Sequence, residues 1–476
     1  MANAGTLARK PVLILITLVL IELTGAYETA MIYAALPRLI EVFGDAQKVA
    51  WLVTGYMLSS AYFAVMAGRL GDMIGRVKVL FVVMIIMIVG SIISALGRDL
   101  FTIVIGRVLQ GCAGAILPLA FGIAREFLPK QTLNISVGFI AGTSVLGAGI
   151  GLLVGGLIID NLAWRWIFRV SAAMGMATLL VAWLIFPIER DRQLAWRELD
   201  WLGGGLFLPA LVGLLLVITQ GARWGVGLAS SVAIGSLILL FIWYRWESRH
   251  PQPLIDVQLL TKRQIAIANL ALALTAISAL QITQLFTTLM QQPVWTGVGF
   301  GLAAAAVGLI KLPTAAVGFL AGLASGAIST RWSSKAAAFL FSLMLALGWL
   351  LMALDHHDMI VVIIGLTIIL FALAGFYAAI SNLVIEAVPL SRTSEAAGLA
   401  AVIRTVCIGV GSQAMVMLLS VSSVARPGGG PRYPSDLAYI ITFGFVAGTM
   451  VVVTLLTLML SSRPTRYHGE MSAAGA

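Results

Sequence analysis

The chain has 476 residues, of which 60% are apolar and only 11% are charged, and its net charge is +10 at pH 7. Soluble domains carry roughly a quarter of charged residues, so this composition excludes an ordinary soluble globular protein. The basic residues lie in short polar gaps between apolar runs, which is typical of a membrane protein and argues against nucleic-acid binding. We therefore expect an integral membrane protein embedded in the lipid bilayer.

Apolar runs long enough to cross a membrane, for which about 20 residues are needed, recur along the whole chain. The run after Val12 is too long for a signal peptide and is not followed by a small-residue cleavage site, so we interpret it as a retained first span. The sequence predicts an all-α integral membrane protein with fourteen spans, near 12–34, 49–70, 78–97, 100–122, 135–159, 165–187, 202–220, 227–245, 264–289, 301–328, 336–353, 359–386, 396–420 and 436–460.

Basic residues are distributed unequally between the two sides of these spans. With the N-terminus inside, the inside gaps hold nineteen Lys and Arg and the outside gaps hold eight; the remaining three, Arg107, Lys311 and Arg404, lie within spans. Cytoplasmic loops carry the excess of basic residues in membrane proteins. Both termini are therefore predicted to lie in the cytoplasm.

The first span carries two carboxylates, Glu22 and Glu28. A charged group near the centre of a span costs about 2.5–3.5 kcal/mol on insertion scales, so each is a functional hypothesis. Glu28 is either a solvated group at the outer mouth or a proton carrier. Glu22 either faces a cavity, as a second proton site or as the partner of a cationic substrate, or bonds to a neighbouring helix for packing only.

A short polar segment, 68–78, separates the second and third spans. Its glycines Gly68 and Gly75 permit close packing or a turn. Asp72 stands among Arg69, Arg76 and Lys78, so it can be paired and can cap an adjacent helix end. Such a segment is often only a cytoplasmic loop with positive-inside charges. Its order Gly-x-Leu-x-Asp-x-x-Gly-Arg-x-Lys, however, resembles the signature loop of the major facilitator superfamily of transporters, and the resemblance implies a role in the conformational switch.

Two further segments resemble motifs of the same superfamily. Residues 27–37 resemble the first-helix signature, with Glu28 in place of an Asp and Tyr33 in place of an Asn, and residues 107–111 resemble the motif Arg-x-x-Gln-Gly, whose Arg is linked in the family to proton coupling. Glu28 and Arg107 each lie about six residues, roughly 9 Å, from the outer end of their spans. We therefore predict that they pair, and that the pair loads and releases a proton.

The fifth span contains four glycines, Gly147, Gly151, Gly155 and Gly156. Small residues four positions apart allow two membrane helices to cross closely. The segment resembles the antiporter motif Gly-x-x-x-Gly-Pro-x-x-Gly-Gly of the superfamily. Leu152 replaces the Pro, so the kink that Pro imposes is not assured.

Candidate substrate-binding residues lie in both halves of the chain. Lys311 lies near the middle of the tenth span, and Arg404 in the thirteenth span resembles the Arg of the family motif Asn-x-x-Arg. A Lys at that depth either pairs with a Glu, such as Glu22 across a cavity, or attracts an anionic head group, since snorkelling from there is difficult. Tyr33 and Gln284 complete the candidate set.

The resemblance covers most of the chain and implies the major facilitator fold. It divides the chain into a six-helix bundle (1–190), an insert of two spans (191–263), a second six-helix bundle (264–462) and a cytoplasmic tail (463–476). A degraded copy of the signature loop, at 326–335, follows the tenth span and supports two related halves. This is the layout of the fourteen-helix drug:proton antiporters, the family that the chain resembles.

The function that this resemblance implies is proton-coupled efflux of amphipathic or lipophilic drugs or similar small molecules by alternating access. We expect a monomer in the plasma membrane, of the bacterial inner-membrane type, driven by the proton gradient and needing no cofactor. An alternative is export of a lipid or of an anionic metabolite, which the positive charges of Lys311 and Arg404 within spans suggest.

ATP hydrolysis is not expected, because the chain has no Gly-x-x-x-x-Gly-Lys-Ser/Thr phosphate loop. An integral membrane enzyme is the remote alternative. The sequence offers neither a nucleophile–base pair nor a metal-ligand spacing, and no metal site is predicted. All four histidines lie in gaps or tails: His250, His356, His357 and His468.

Overall fold

The computed structural model describes residues 11–44, 46–49, 51–186, 200–221, 224–250, 261–302, 304–425 and 432–460. The predicted cytoplasmic tail, 463–476, lies outside these residues. So do His468 and much of the two polar loops that flank the predicted insert.

Helices account for the apolar runs. Within the described residues, fourteen long helices follow one another: α1 Pro11–Phe43, α2 Trp51–Ile74, α3 Arg76–Leu96, α4 Leu100–Phe127, α5 Leu133–Asn161, α6 Arg165–Ile185, α7 Trp201–Gln220, α8 Val226–Glu247, α9 Arg263–Gln291, α10 Ala304–Arg331, α11 Ser334–Leu354, α12 Met359–Glu386, α13 Thr393–Ser420 and α14 Asp436–Leu458. 3₁₀ turns interrupt α4 at Gly111–Ala115 and α9 at Ala279–Gln281.

Shorter elements lie between these helices. They are a four-residue helix, Ala46–Val49, two 3₁₀ turns, Val294–Thr296 and Leu390–Arg392, and an antiparallel pair of strands, β1 Ser423–Ala425 and β2 Arg432–Pro434. The hairpin before α14 is not evident from the apolar pattern, because each strand has only three residues.

Twelve of the described helices are long and apolar enough to cross a membrane, and α2 and α7 are not among them. The end of α2 carries Arg69 and Asp72, and the apolar part of α7 is limited to Leu202–Ile218. The chain is therefore a multi-span membrane protein, while the number of fourteen spans and the cytoplasmic position of both termini stay predictions. Below, the inner end of the molecule is the end that carries Gly75 and Arg331, which the basic residues predict to be cytoplasmic; the opposite end is the outer end.

Side-chain caps fix where several helices begin. Asp99 accepts a hydrogen bond from the backbone N–H of Thr102 at 2.9 Å, before α4, and Ser333, Asp358 and Ser435 cap α11, α12 and α14 in the same way. Such caps satisfy backbone donors that have no partner within the helix, and removing one typically costs about 1 kcal/mol.

The predicted loop at 68–78 is wrong in its extent. Helix α2 continues to Ile74 and α3 begins at Arg76, so that Gly75 alone makes the turn. Gly75 has a φ of 110°, a conformation that residues with a Cβ rarely adopt. Asp72 and Arg76 consequently lie on helices one turn apart, close enough to pair.

The helices form two bundles, each with its own main core, and Ala378 and Ile385 of α12 also pack into the core of the N-terminal half. In the N-terminal half, α1 packs along α5 and α3 packs between α4 and α6; in the C-terminal half, α11 packs against α12 and α14 around Phe341 and Trp349. Helices α7 and α8 pair with each other, and Phe207 and Leu211 of α7 lie against α2 and α13. The predicted insert thus lies beside the seam where the two halves meet.

The closest contact between the halves is the crossing of α5 and α10. A Cβ placed on Gly142 would lie 2.9 Å from the carbonyl oxygen of Phe319, and Gly138 and Gly322 approach each other more closely still. Lipid tails are as apolar as Leu, so membrane helices associate largely through such close packing of small residues. This crossing brings the two halves together in the inner part of the molecule.

Candidate functional site

A buried polar network surrounds Glu28 inside the N-terminal half. Its Oε1 accepts hydrogen bonds from Ser91 of α3, at 2.9 Å, and from Ser171 of α6. The Nη1 atom of Arg107 lies 3.7 Å from Oε2, and both side chains are 0% exposed. Buried charges are tolerated when they are paired and hydrogen-bonded. The pairing that the equal depths of Glu28 and Arg107 predict is therefore seen, whereas their role stays a prediction.

Arg107 has several acceptors besides the carboxylate. Its Nη1 donates to the backbone oxygen of Glu28 and to Oε1 of Gln110, each at 3.1 Å. Gln110 in turn donates to Ser91 at 2.8 Å, and the guanidinium lies 4.2 Å from the centre of the Tyr56 ring. If the Glu28 carboxylate alone is removed, Arg107 therefore keeps its other hydrogen-bond acceptors and its cation–π contact with Tyr56.

Ser91 and Ser171 cannot be identified from the sequence. A single serine in an apolar helix commonly bonds to its own backbone, as Ser91 also does with the carbonyl of Met87 at 3.0 Å. Only the fold turns both hydroxyls toward the same carboxylate.

Glu22 lies between the two halves rather than in this network. Its carboxylate accepts a 2.5 Å hydrogen bond from Ser144 of α5, and the charge of Arg404, on α13 of the other half, acts on it. The Arg404 guanidinium lies 4.8 Å from the centre of the Tyr377 ring. Two of the predicted substrate-binding residues, one from each half, thus lie within electrostatic range of each other, and Arg404 also contacts an aromatic ring.

Lys311 does not pair with Glu22. Its Nζ donates instead to Oγ1 of Thr283 on α9, at 2.7 Å, and the ion pairs among the described residues include none between Lys311 and Glu22. Gln284, next to Thr283, accepts a 3.0 Å hydrogen bond from Ser412 of α13. Of the two alternatives for Lys311, pairing with Glu22 is not seen, and attraction of an anionic head group stays a prediction.

Tyr33 lies further out on α1, with 41% of its surface exposed. The five predicted substrate-binding residues therefore do not form one cluster. Glu22 and Arg404 lie at the interface of the halves, Lys311 and Gln284 lie in the C-terminal half, and Tyr33 lies toward the outer end.

Three of the four glycines of α5 hold that helix against α1. A Cβ on Gly151 would lie 3.0 Å from the carbonyl oxygen of Tyr27, and one on Gly155 would lie 2.9 Å from that of Met31; Gly147 faces α1 in the same way. Gly156 has no atom within 4 Å of such a Cβ. The predicted close crossing is seen at three positions, and Gly156 takes no part in it. With Leu152 in place of Pro, α5 is a continuous helix.

We expect Gly151→Leu to destabilise the folded protein, while Gly156→Leu is nearly neutral. The larger side chain at 151 pushes α1 away at Tyr27, next to Glu28, and overpacking of this kind typically costs about 1–3 kcal/mol. The measurement is the thermal unfolding midpoint of purified protein in detergent. Equal shifts for the two variants would contradict the assignment of Gly151 to the helix contact.

The inner ends of the two halves are joined by Arg76. Its Nε donates to Asp72 at 2.8 Å and to Ser394 of α13 at 3.1 Å, its Nη1 donates to Glu126 at 2.8 Å, and its Nη2 donates to the carbonyl of Leu390. The side chain is 6% exposed. One guanidinium thus binds acceptors from both halves.

Asp72 caps a helix of the other half. Its Oδ2 accepts a 2.9 Å hydrogen bond from the backbone N–H of Glu395, in the first turn of α13. A carboxylate at this position also interacts favourably with the helix dipole. Asp72 thus pairs with one of its basic neighbours, Arg76, and caps an adjacent helix, as its position in the sequence allows, whereas its part in the conformational switch stays a prediction.

Further contacts close the same end. Arg69 donates to the carboxylate of Glu395 at 3.1 Å, and Arg125 donates to Thr393 and to the carbonyl of Val388. Hydrogen bonds that join the two halves, for the part of the chain that the structure describes, cluster at this inner end. The structure is therefore closed on its inner side.

A family comparison agrees with this two-part architecture. Residues 18–195 and 185–412 match the sequence model of the Major Facilitator Superfamily. The chain belongs to this superfamily. The match begins in α1 and ends in α13, and so includes both halves of the transporter.

Curated relatives of this major facilitator protein include multidrug-resistance proteins. A multidrug resistance protein B homolog of Mycobacterium tuberculosis is 30% identical over 285 residues, which are 58% of this chain and 52% of the relative. The multidrug export protein EmrB of Haemophilus influenzae is 27% identical over 311 residues, which are 63% of this chain and 60% of the relative. The chain thus spans about half the length of the first of these relatives.

Two solved structures share the fold. The human organic anion transporter TETRAN has a TM-score of 0.66 at 14% identity, covering 94% of this chain and 99% of that one. The proton:xylose symporter XylE has a TM-score of 0.67 at 14% identity, covering 94% and 95%. At such identity the likeness concerns the fold alone. The predicted major facilitator fold is confirmed, and these relatives and neighbours are transporters rather than enzymes.

Proposed function

We propose that this major facilitator transporter exports amphipathic or lipophilic small molecules in exchange for protons. The observation that supports the proposal most is the buried pair of Glu28 and Arg107. Burial favours the protonated form of a carboxylic acid, whereas a neighbouring guanidinium favours the ionised form. A carboxylate held between these two influences loads or releases a proton when a small movement changes either of them.

Glu22 is the proposed contact for a positively charged cargo. It accepts a hydrogen bond from Ser144, and the charge of Arg404, which belongs to the other half, acts on it. A cationic cargo competes with Arg404 for Glu22, while the Tyr377 ring offers an aromatic face. The similarity to multidrug-resistance and multidrug-export proteins supports the same class of cargo.

Movement of the two halves is the proposed transport step. Substrate sites in this fold lie near the middle of the membrane between the halves, which rock around the site. The contacts of Arg76 and Asp72 with α13 hold one arrangement closed on the inner side. Opening them exposes the interface to the cytoplasm.

The proposal also covers the membrane in which the transporter works, its oligomeric state and its source of energy. We assign the transporter to the plasma membrane, as a bacterial inner-membrane protein that works as a monomer. The proton gradient drives it and no cofactor takes part. The bacterial origin of the multidrug relatives supports this setting.

Purified protein in liposomes tests the proposal. A pH-sensitive dye reports internal pH while a lipophilic cation, tetraphenylphosphonium, is added outside at a series of concentrations. We expect saturable, cargo-dependent proton movement that protein-free liposomes do not show. No cargo-dependent proton movement with this or another lipophilic cation would overturn the proposal for cationic drugs.

A second candidate function is export of a lipid or an anionic metabolite. It is favoured by Lys311, whose described partner is the hydroxyl of Thr283 rather than a carboxylate. The same liposomes distinguish it. This second function is favoured if a labelled lipophilic anion or a fluorescent phospholipid is transported while the lipophilic cation is not. Transport of that compound is then expected to be lost in Lys311→Gln.

A further inference from the structure

Two histidines and an aspartate converge at the outer end of the C-terminal half. Nε2 of His356 and Nε2 of His357, in the turn between α11 and α12, lie 3.0 and 3.1 Å from the same atom, Oδ1 of Asp436, in the first turn of α14. One ligand atom from each residue can be chosen so that all three lie within 4.8 Å of one another. The sequence predicts no metal site because Asp436 is far from the histidines along the chain; the fold supplies it.

Asp436 is the ion-pair partner of both imidazoles, and its Oδ1 is shared between the two Nε2 atoms without the alignment of a full hydrogen bond. The His356 side chain is only 2% exposed. Two imidazole nitrogens that converge in this way on one carboxylate oxygen match the donor set of a bound transition-metal ion.

We propose that His356, His357 and Asp436 form a binding site for a transition-metal dication, with Zn²⁺ as the preferred ion. Zinc binds imidazole nitrogen and carboxylate oxygen at about 2.0–2.2 Å, usually with four ligands. Two ligand atoms of such a tetrahedron lie about 3.4 Å apart, so separations of 3.0 and 3.1 Å need only small side-chain rotations. Mg²⁺ and Ca²⁺ prefer all-oxygen sites and do not fit this set.

The surroundings hold the ligands in place and leave room for a fourth. Asp355 accepts hydrogen bonds from the backbone N–H groups of His357, at 3.1 Å, and Asp358, at 3.4 Å, and so fixes the turn. The rings of His356 and His357 stack at 4.8 Å. His357 and Asp436 are 52% and 48% exposed, which gives an ion access from the outer aqueous phase and leaves one position for water.

The site joins the turn between α11 and α12 to the start of α14, all within one half. A bound ion therefore stabilises the outer end of that half without linking the two halves. It is a structural site that is compatible with the transport cycle, and it is independent of the proposed cargo.

Zinc titration of purified protein tests this proposal. The protein carries a Strep tag, because a polyhistidine tag binds zinc itself, and is stripped with a chelator before calorimetry with ZnCl₂. We expect saturable binding of one ion per chain, at least tenfold weaker in His357→Ala and in Asp436→Asn, and unchanged in the control His250→Ala. Both altered side chains are about half exposed, so the variants are expected to fold.

Cobalt provides a second readout that a loss of stability does not imitate. Co²⁺ added to the stripped wild type is expected to give visible absorption bands of a low-symmetry nitrogen–oxygen site, which excess Zn²⁺ removes and Asp436→Asn lacks. Absence of saturable zinc binding by the wild type would overturn the proposal. Binding of equal strength in the wild type, His357→Ala and Asp436→Asn would overturn it as well.

Discussion

Glu28→Gln is expected to reduce cargo-dependent proton movement at least 100-fold. Glutamine keeps the shape of the side chain and still accepts the hydrogen bonds from Ser91 and Ser171, but it cannot bind and release a proton. The measurement is the initial rate of internal pH change in liposomes after addition of the lipophilic cation. Glu28→Asp, which keeps a carboxylate, is expected to retain part of the rate.

The structure offers controls for this experiment. Glu41 lies on the same helix and pairs with Arg38 on the surface, so Glu41→Gln is expected to behave like the wild type. Breaking a buried ion pair typically costs about 3–5 kcal/mol. Arg107 nevertheless keeps its acceptors on Gln110 and on the backbone, and unfolding curves for each variant show whether a loss of rate is a loss of protein. A folded Glu28→Gln protein with the wild-type rate would exclude Glu28 as the proton carrier and make Glu22 the next residue to test.

Arg76→Gln is expected to open the inner side of the protein. The substitution leaves Asp72 and Glu126 without their shared cation and removes the donors to Ser394 and Leu390. The populations are expected to move by more than tenfold toward the open arrangement, since each 1.4 kcal/mol lost from the closed state is a factor of ten.

Spin-label distances between the inner ends of the halves measure this opening. Labels at Lys130 and Trp332, both exposed, report one half each. We expect longer distances in Arg76→Gln and no change in the control Arg263→Gln, whose side chain is exposed at the start of α9. A distance distribution in Arg76→Gln identical to that of the wild type would show that this network does not hold the inner side closed.

Much of the fold follows from periodicity and length in the sequence. Apolar runs of about 20 residues predict helices at the places where α1 to α14 lie. The signature segment does not follow from this pattern, because its charged residues favour a loop although Gly68 to Ile74 are helical. Charge does not prevent a helix when the partners are supplied by neighbouring helices, as they are for Asp72 and Arg76.

Some contacts of the candidate site can likewise be predicted from the sequence, and others cannot. Pairing of Glu28 with Arg107 follows from their equal depth, since two helices of one bundle bring residues of the same depth together. The hydrogen-bond partner of Lys311, in contrast, depends on how α9 and α10 pack together. That partner is Thr283 of α9. Partners across the two halves, such as Asp72 with Glu395, depend on how the bundles are assembled and leave no periodic signal in the chain.

The closed inner side has a thermodynamic consequence for any compound that is loaded from the cytoplasm. Such a compound binds only to molecules whose inner side is open, so its apparent dissociation constant is the intrinsic one divided by the open fraction. A strong Arg76 network therefore weakens the apparent affinity for cytoplasmic cargo and at the same time favours release on the other side. Variants that loosen the network are expected to bind cargo more tightly and to export it more slowly, so affinity alone is a poor guide to transport capacity in this protein.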